Sequence, residues 1–253
     1  MSIQMFFKML MALVTVFVST LSGTSKEVNM IAHRGYSGIY PDNTEVAFLK
    51  AAEAGATGAE TDVRVTSDGV YVLSHNETAE FKDGTELEVA AHTYKELTAK
   101  PLKSSTLTNE VYLCTYERYL EIMRDNNMVC FIELKGDFDD NQVKEIFDLA
   151  ARVYKLEKCI LQSFEFDNLL KARALFPDLP LMLTYGSKDD SYKKCFDYGI
   201  SIDADYQVMT EEMVKEFHDR GLLVALYTAN DPLSLAYCKS LGVDYIESDL
   251  FMK

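Results

Sequence analysis

Cysteine and proline are scarce in this chain and tryptophan is absent: its 253 residues include five Cys, five Pro and no Trp. A small disulfide-stapled domain needs a dense and even set of cysteines. These five are odd in number, far apart and without a Cys-x-x-Cys pair, so that class is excluded. Cys130 and Cys159 lie in apolar stretches, and we expect them to be small core residues.

Positive charge is also in short supply. The chain carries 25 Lys and Arg against 40 Asp and Glu, for a formal net charge of −15. A protein this acidic repels a phosphate backbone, which argues against nucleic acid as a partner. A single phosphate group in a locally basic or metal-loaded pocket remains compatible with this charge.

Long apolar runs are missing too, because the longest, at residues 9–18, is shorter than the roughly 20 residues of a transmembrane helix. Residues 1–25 carry one charged side chain, Lys8, and end in small and polar residues. This pattern predicts a secretory signal peptide over residues 1–25. If it is cleaved, we expect an exported protein, periplasmic or secreted, with no stable membrane insertion. If it is retained, the protein would be anchored in the membrane.

The rest of the chain, residues 26–253, alternates strand-like and helix-like segments without a linker or repeat. Strand-like runs fall at 28–33, 58–65, 128–135, 159–164, 179–185, 200–204, 222–228 and 243–247. Helical spacing falls at 44–54, 116–126, 141–154, 167–175, 210–220 and 232–241. About eight β units in this length predict one α/β domain, a TIM (β/α)8 barrel. A doubly wound open sheet is the alternative, but no glycine-rich phosphate fingerprint follows the first strand.

One hairpin interrupts the alternation. Residues 64–66 and 70–72 flank Ser67-Asp68-Gly69, which is a tight-turn signal. Residues 76–113 are polar and lack clear periodicity, so we expect a small insertion after the second strand, over one end of the barrel.

Several strands end in polar side chains where apolar ones would be expected. Glu60 and Asp62 share one face of their strand, as do Glu133 and Lys135, because residues two apart point the same way. His33 ends the first strand before Arg34, and His75 ends the hairpin. Because the carboxyl ends of the barrel strands meet at one rim, we expect these side chains to lie close together.

Three carboxylates at that rim need a cation, since burying them unpaired is costly. Glu60, Asp62 and Glu133 offer hard oxygen ligands that suit Mg²⁺ or Ca²⁺. A salt-bridge cluster with Arg34, Arg64 and Lys135 is the structural alternative.

Such a site suits phosphodiester hydrolysis. Arg34 can fork onto a phosphate, and Lys135 can add a second positive charge. His33 and His75 can divide the acid and base roles, because imidazole titrates near neutrality. The sequence does not assign which histidine takes which role.

The order of motifs resembles the glycerophosphodiester phosphodiesterase family. The resemblance is carried by 32–35 (AHRG), 41–44 (PDNT), Glu60-x-Asp62, 74–76 (SHN) and 132–135 (IELK), with weaker pieces at 162–164, 227–230 and 242–245. It spans about residues 28–250. It implies a TIM barrel that hydrolyses glycerophosphodiesters, as small-molecule substrates, to glycerol 3-phosphate and an alcohol.

The resemblance also implies residue roles. His33 and His75 match the acid–base pair of the family, and Glu60, Asp62 and Glu133 match its ligands for a divalent metal ion, Ca²⁺ or Mg²⁺. Arg34 matches the phosphate contact and Lys135 the substrate-side lysine, while Phe164 and Tyr227 match apolar walls of the site or else pack in the core.

The chain departs from the family at two positions. Asp42 stands where the family usually has Glu, and Tyr227 where it often has Trp. The structural alternative for Asp42 is a helix cap formed with Glu45.

Two other functions are alternatives to this one. A related barrel could act on intact lipids as a phospholipase D-like or C-like enzyme, and a noncatalytic barrel could simply bind phosphodiesters. The intact set of histidines and acids argues against the second. The head-group alcohol, the preferred ion and the oligomeric state are left open.

Overall fold

The computed structural model describes residues 28–104 and 110–251. The predicted signal peptide therefore lies outside the described residues. Within those two ranges, no helix is both long enough and apolar enough to cross a membrane.

Among the described residues, eight parallel strands close into a barrel. They are β1 (Asn29–Ala32), β2 (Gly58–Val65), β6 (Val129–Leu134), β7 (Cys159–Ser163), β8 (Leu181–Tyr185), β9 (Ser201–Asp205), β10 (Val224–Tyr227) and β11 (Tyr245–Ser248). Each pairs with the next around the ring, and β1 closes it by pairing with both β11 and β2. The TIM barrel prediction is confirmed, and the open sheet is wrong.

The described residues also form eight α-helices, of which the second along the chain lies in the inserted segment and the others cover the outside of the barrel. They are α1 (Glu45–Ala54), α2 (Tyr94–Leu97), α3 (Tyr116–Asp125), α4 (Asp140–Val153), α5 (Phe166–Leu175), α6 (Lys194–Tyr198), α7 (Glu211–His218) and α8 (Pro232–Ser240). Side chains at most of their N-termini accept backbone hydrogen bonds, as Thr115 and Asp139 do for α3 and α4. The alternative interpretation of Asp42 as a helix cap is wrong, because the Thr44 side chain caps α1.

The predicted hairpin is also present. Strand β3 (Tyr71–Leu73) pairs antiparallel with the end of β2, with Val65 opposite Tyr71. The following segment forms a two-stranded sheet from β4 (Thr78–Glu80) and β5 (Glu86–Glu88), and then α2. Despite its polar sequence, this segment packs against Val72 of β3 in a small separate core, which also contains Ala79, Phe81, Val89, Leu97 and Leu113.

Alternation along the strands sorts the core into two parts. Residues such as Ala59, Cys130 and Leu161 face outward and pack beneath the helices. Ile31, Phe131, Ile160, Met182 and Ala225 form a separate apolar cluster. Their alternation with the outward set places this cluster inside the barrel. All five cysteines lie in the described part of the chain and are buried and unpaired.

Candidate active site

Towards the carboxyl ends of the strands, beyond the inner apolar cluster, the inward faces of β2 and β6 carry acidic side chains. Glu60 and Asp62 are each 1% exposed and Glu133 is 6% exposed. Asp62 lies directly opposite Glu133 in the β2–β6 register. One oxygen from each of the three carboxylates lies within 4.8 Å of the other two. The structure therefore brings together the three acids that the sequence predicted as metal ligands.

Two cationic side chains reach these acids. The Lys135 Nζ atom lies 2.8 Å from Glu133 Oε1 and 3.0 Å from Asp62 Oδ1. The Arg34 Nε atom lies 3.4 Å from Asp62 Oδ2, and the Arg34 backbone N–H donates to Glu60 Oε2 at 2.8 Å. The salt-bridge alternative is thus right about these two residues. Arg34 also lines the cavity that Ser74 and His75 border.

Arg64, the third cation of that alternative, is engaged elsewhere. Its guanidinium donates to the backbone carbonyls of Ser74 and His75, at 3.1 and 2.8 Å. These bonds fix the chain at the end of the hairpin. Arg64 therefore holds the backbone that carries His75.

The electrostatics of the three acids differ. Burial, followed by repulsion from Asp62, raises the pKa of Glu60 well above its usual range. Burial also raises the pKa of Glu133 to about 7, although Lys135 opposes that shift. Burial acts to raise the pKa of Asp62 as well, but Lys135, Arg34 and Asn43 together lower it.

The donor set fits a divalent cation. Glu60 Oε1 is buried and has no hydrogen-bond partner among the described residues. Carboxylate oxygens are the ligands that Ca²⁺ and Mg²⁺ prefer. A cation at this point would supply the positive charge that a buried carboxylate needs.

The two predicted histidines lie at the same mouth. His75 follows β3 and borders a cavity of about 280 Å³, together with Arg34 and Asn43. His33 follows β1 and borders an adjoining cavity that Arg34 also lines. Both imidazoles therefore flank the predicted phosphate contact. Burial lowers the pKa of His75, which favours its neutral form near pH 7, although Asp62 opposes the shift.

Asp249 is a site residue that the sequence reasoning missed. Its Oδ1 atom lies 2.6 Å from His33 Nδ1 and accepts a hydrogen bond from Ser37 Oγ at 2.9 Å. The Asn230 side chain donates to the other oxygen at 2.5 Å. A carboxylate held in this way orients the imidazole and leaves the Nε2 atom of His33 for other partners.

Asn43 was missed as well. Its Nδ2 donates to Asp62 Oδ2 at 2.7 Å, and its Oδ1 accepts from Thr61 Oγ1 at 2.8 Å. The φ of Asn43 is 55°, a left-handed value that Asn tolerates better than most residues. The neighbouring Gly35 has φ 80°, and a Cβ there would meet the backbone of Ala47 at 2.8 Å. The loop that carries Arg34 therefore packs directly on α1.

The two predicted wall residues behave differently. Phe164 is 51% exposed, so the core-packing alternative is wrong for it. Its ring centroid lies 5.7 Å from Lys135 Nζ. Tyr227 is half-buried and donates its hydroxyl to the backbone carbonyl of Tyr185 at 3.1 Å. That hydroxyl is therefore already committed to the fold.

Four more buried polar residues share the interior of the barrel: Gln162, Thr184, Asp203 and Glu247. The Gln162 amide donates weakly to Glu247, at 3.4 Å. Both Asp203 oxygens lack a hydrogen-bond partner among the described residues. The sequence did carry a signal for Asp203, because Ser201, Asp203 and Asp205 follow the same two-residue spacing as Glu60 and Asp62.

Comparisons with known proteins agree with this geometry. Residues 33–251 match the profile of a family described as the Glycerophosphoryl diester phosphodiesterase family. A glycerophosphodiester phosphodiesterase from Bacillus altitudinis is 29% identical over 235 residues, which are 87% of this chain and 94% of that protein.

Solved structures are similar too. A glycerophosphodiester phosphodiesterase from Parabacteroides distasonis has a TM-score of 0.75 at 25% identity, covering 88% of this chain and 93% of that one. An Oleispira antarctica phosphodiesterase, solved with its product sn-glycerol-3-phosphate, has a TM-score of 0.79 at 19% identity, covering 87% and 92%. At that identity, the second similarity concerns the fold.

Proposed function

The chain belongs to the glycerophosphoryl diester phosphodiesterase family, as the resemblance predicted, and is a phosphoric diester hydrolase; we propose that it uses a divalent metal ion and paired histidines to convert glycerophosphodiesters to glycerol 3-phosphate and an alcohol. The observation that carries the proposal is the convergence of Glu60, Asp62 and Glu133 beside Arg34, with a histidine on either side.

Substrate binding in this proposal begins with the phosphate. The guanidinium of Arg34 and the ammonium of Lys135 offer the positive charge that an anionic diester needs. Both are only partly buried, with side chains 25% and 13% exposed, so a ligand at the mouth can reach them. The product bound by the Oleispira antarctica relative, sn-glycerol-3-phosphate, is a ligand of this chemistry.

The chemical step requires one proton to be removed and another to be supplied. A base takes a proton from the attacking oxygen, and an acid protonates the departing alkoxide. His33 and His75 are proposed for these roles. Asp249 orients His33 through Nδ1, which leaves the Nε2 atom of His33 to exchange a proton with the substrate.

The metal-binding residues complete the proposal. Glu60, Asp62 and Glu133 would hold the ion, which we propose to be Ca²⁺ or Mg²⁺. When bound, it would act as a Lewis acid that neutralises charge developing on the phosphate. The partly exposed ring of Phe164 would form one apolar wall for the carbon atoms of the substrate.

We also propose export, with residues 1–25 removed as a signal peptide. The support is the apolar run over 9–18 and the small residues after it. N-terminal sequencing of the protein from its native cell checks this, and a retained Met1 would contradict cleavage.

Activity is tested with a panel of glycerophosphodiesters, each assayed with Ca²⁺, Mg²⁺ and Mn²⁺ after chelator treatment. We expect release of glycerol 3-phosphate, lost in chelator and restored by at least one ion. Phosphatidylcholine and lysophosphatidylcholine belong in the same panel, because faster turnover of these would support the phospholipase-like alternative. Unchanged turnover in chelator would remove the metal from the mechanism, and binding without any turnover would support the noncatalytic barrel.

A further inference from the structure

We propose that the barrel holds a second hard divalent cation. Glu60 and Glu247 would bind this ion on the side away from Glu133. The carboxylate of Asp203, inside the barrel, would help to balance the positive charge of the ion. The proposal rests on the proposed function only because Glu60 would be shared with the metal site described above. It gives a role to Glu247 and Asp203, which take no part in acid–base catalysis or phosphate binding in the proposed function.

The first support is geometric. Strand β11 carries Glu247 on the far side of β1, whereas β6 carries Glu133 on the opposite side of β2. A nitrogen of His33 and one oxygen each of Glu60 and Glu247 lie within 4.8 Å of one another. Because Ca²⁺ binds oxygen at about 2.3–2.6 Å, ligand atoms up to about 5 Å apart can share one ion. This second group therefore meets the same spacing as the first.

The second support is Asp203, which is independent of that spacing. It is fully buried, and both of its oxygens lack a hydrogen-bond partner among the described residues. Its neighbours Ile202 and Ala204 pack outward beneath the helices, so Asp203 points into the barrel. After burial itself, the charge of Asp203 contributes most to raising the pKa of Glu247. An unpaired carboxylate at this depth is costly without a nearby cation.

The charge balance of the interior points the same way. Among the described residues, five buried carboxylates share this interior: Glu60, Asp62, Glu133, Asp203 and Glu247. Arg34 and Lys135 contact the acids of the first group. If all five carboxylates are ionised, then Arg34, Lys135 and one divalent ion together leave the interior with a net charge of −1. A second ion would leave it positive by one, which the single negative charge of a phosphodiester would neutralise.

Glu60 is suited to lie between two ions. Its Oε2 accepts the Arg34 backbone N–H at 2.8 Å, and its Oε1 has no hydrogen-bond partner among the described residues. Carboxylates that bridge metal ions about 3.5–4 Å apart recur in phosphodiester chemistry. We therefore expect a bridged pair, with the second ion drawn from Mg²⁺, Mn²⁺ or Ca²⁺ because its ligands are mainly carboxylates.

The test uses Mn²⁺ as the probe and the full chain stripped with a chelator. Equilibrium dialysis should give two Mn²⁺ per chain, and the electron paramagnetic resonance spectrum should show magnetic coupling between them. Glu247→Gln should bind one Mn²⁺ with an uncoupled spectrum. Asp203→Asn should weaken the second site by about 10–100-fold, as loss of supporting groups does at metal sites. Glu165→Gln, which removes an exposed carboxylate just after β7, should still bind two.

Wild-type protein that binds one Mn²⁺ overturns the proposal, and so do two Mn²⁺ in Glu247→Gln. If Glu247→Gln does not fold, the wild-type count and its coupling still decide. The Mn²⁺ count is separate from the proposed function, because two coupled ions without diester hydrolysis would defeat that function alone. One ion that Glu133→Gln weakens and Glu247→Gln leaves unchanged would defeat the second site alone.

Discussion

The inside of this barrel has two layers built by the same strands, and they are opposite in character. The lower layer is apolar, with Phe131 packed edge-on against Tyr245 at 5.0 Å between ring centroids. The upper layer begins two residues later on the same strand, where Glu133 takes the place of a hydrophobic side chain. One strand face therefore carries the core at one end and the proposed metal ligand Glu133 at the other.

The difference shows where stability and function are separated. Each lower-layer side chain gains free energy by leaving water. Each upper-layer carboxylate loses solvation and has to recover it from Arg34, Lys135 or a bound cation. We therefore expect substitutions in the lower layer to change folding and substitutions in the upper layer to change binding and rate.

The largest expected effect is on rate. His75→Ala should lower kcat by roughly 10²–10⁴-fold, as loss of a general acid or base does. Its thermal stability should stay near that of the wild type, because His75 is only half-buried. His92→Ala, in the inserted segment, is the matched control and should keep full activity. Turnover of His75→Ala near the wild-type rate would remove this imidazole from the mechanism.

The next effect is on folding. Phe131→Ala should lower the free energy of unfolding by about 3–5 kcal/mol, because it opens a cavity in the lower layer. Denaturant unfolding measures this change. The fraction that stays folded should keep most of its kcat, since Phe131 lines neither of the cavities that His33 and His75 border. A loss of kcat without a loss of stability would mean that the two layers are not separate.

A smaller effect is expected from Asn43, which positions the proposed metal ligand Asp62. Asn43→Gly keeps the left-handed backbone but removes the amide that holds Asp62. Divalent-metal affinity should fall by about 10–100-fold, which titration calorimetry measures. Asn141→Gly, on the exposed surface of α4, is a control for the loss of an amide. Unchanged affinity in Asn43→Gly would show that Asp62 needs no such support.

The smallest effect is on the stability of Glu60→Gln relative to the wild type, and its sign should differ between chelator and saturating divalent ion. In chelator, Glu60→Gln should raise stability by about 1–2 kcal/mol, because burial raises the pKa of Glu60 and makes this group costly to bury at neutral pH, whereas Gln is neutral and keeps an acceptor for the Arg34 N–H. With saturating divalent ion, the wild type should become the more stable protein, because the ligand is retained. Thermal melts with and without ion measure both, and destabilisation in chelator would contradict the cost assigned to this carboxylate.

The barrel and the first ligand group could be predicted because both follow local rules. Alternation with a period of two identifies the strands, and it also places Glu60 with Asp62 and Glu133 with Lys135. Strand ends meeting at one rim then bring these pairs together. The same rule would have found Asp203 and Glu247 if every polar residue on an inward strand face had been collected.

Other features depend on contacts that local rules do not contain. His33 and Asp249 are 216 positions apart, and their bond depends on the closure of β1 against β11. Asn43 reaches Asp62 only because the loop after β1 turns through left-handed backbone. The inserted segment appeared featureless because its core is made of six residues scattered over a long stretch of sequence.

That inserted segment begins beside one of the two histidines. His75 follows β3, which leads into the small core that contains Val72, Phe81 and Leu97. His33, in contrast, follows β1 of the barrel itself. One of the two histidines proposed for acid–base catalysis is therefore attached to a module with its own packing. Grafting this module between relatives would show whether the segment next to His75 contributes to the choice of substrate, while the barrel and its acids are inherited unchanged.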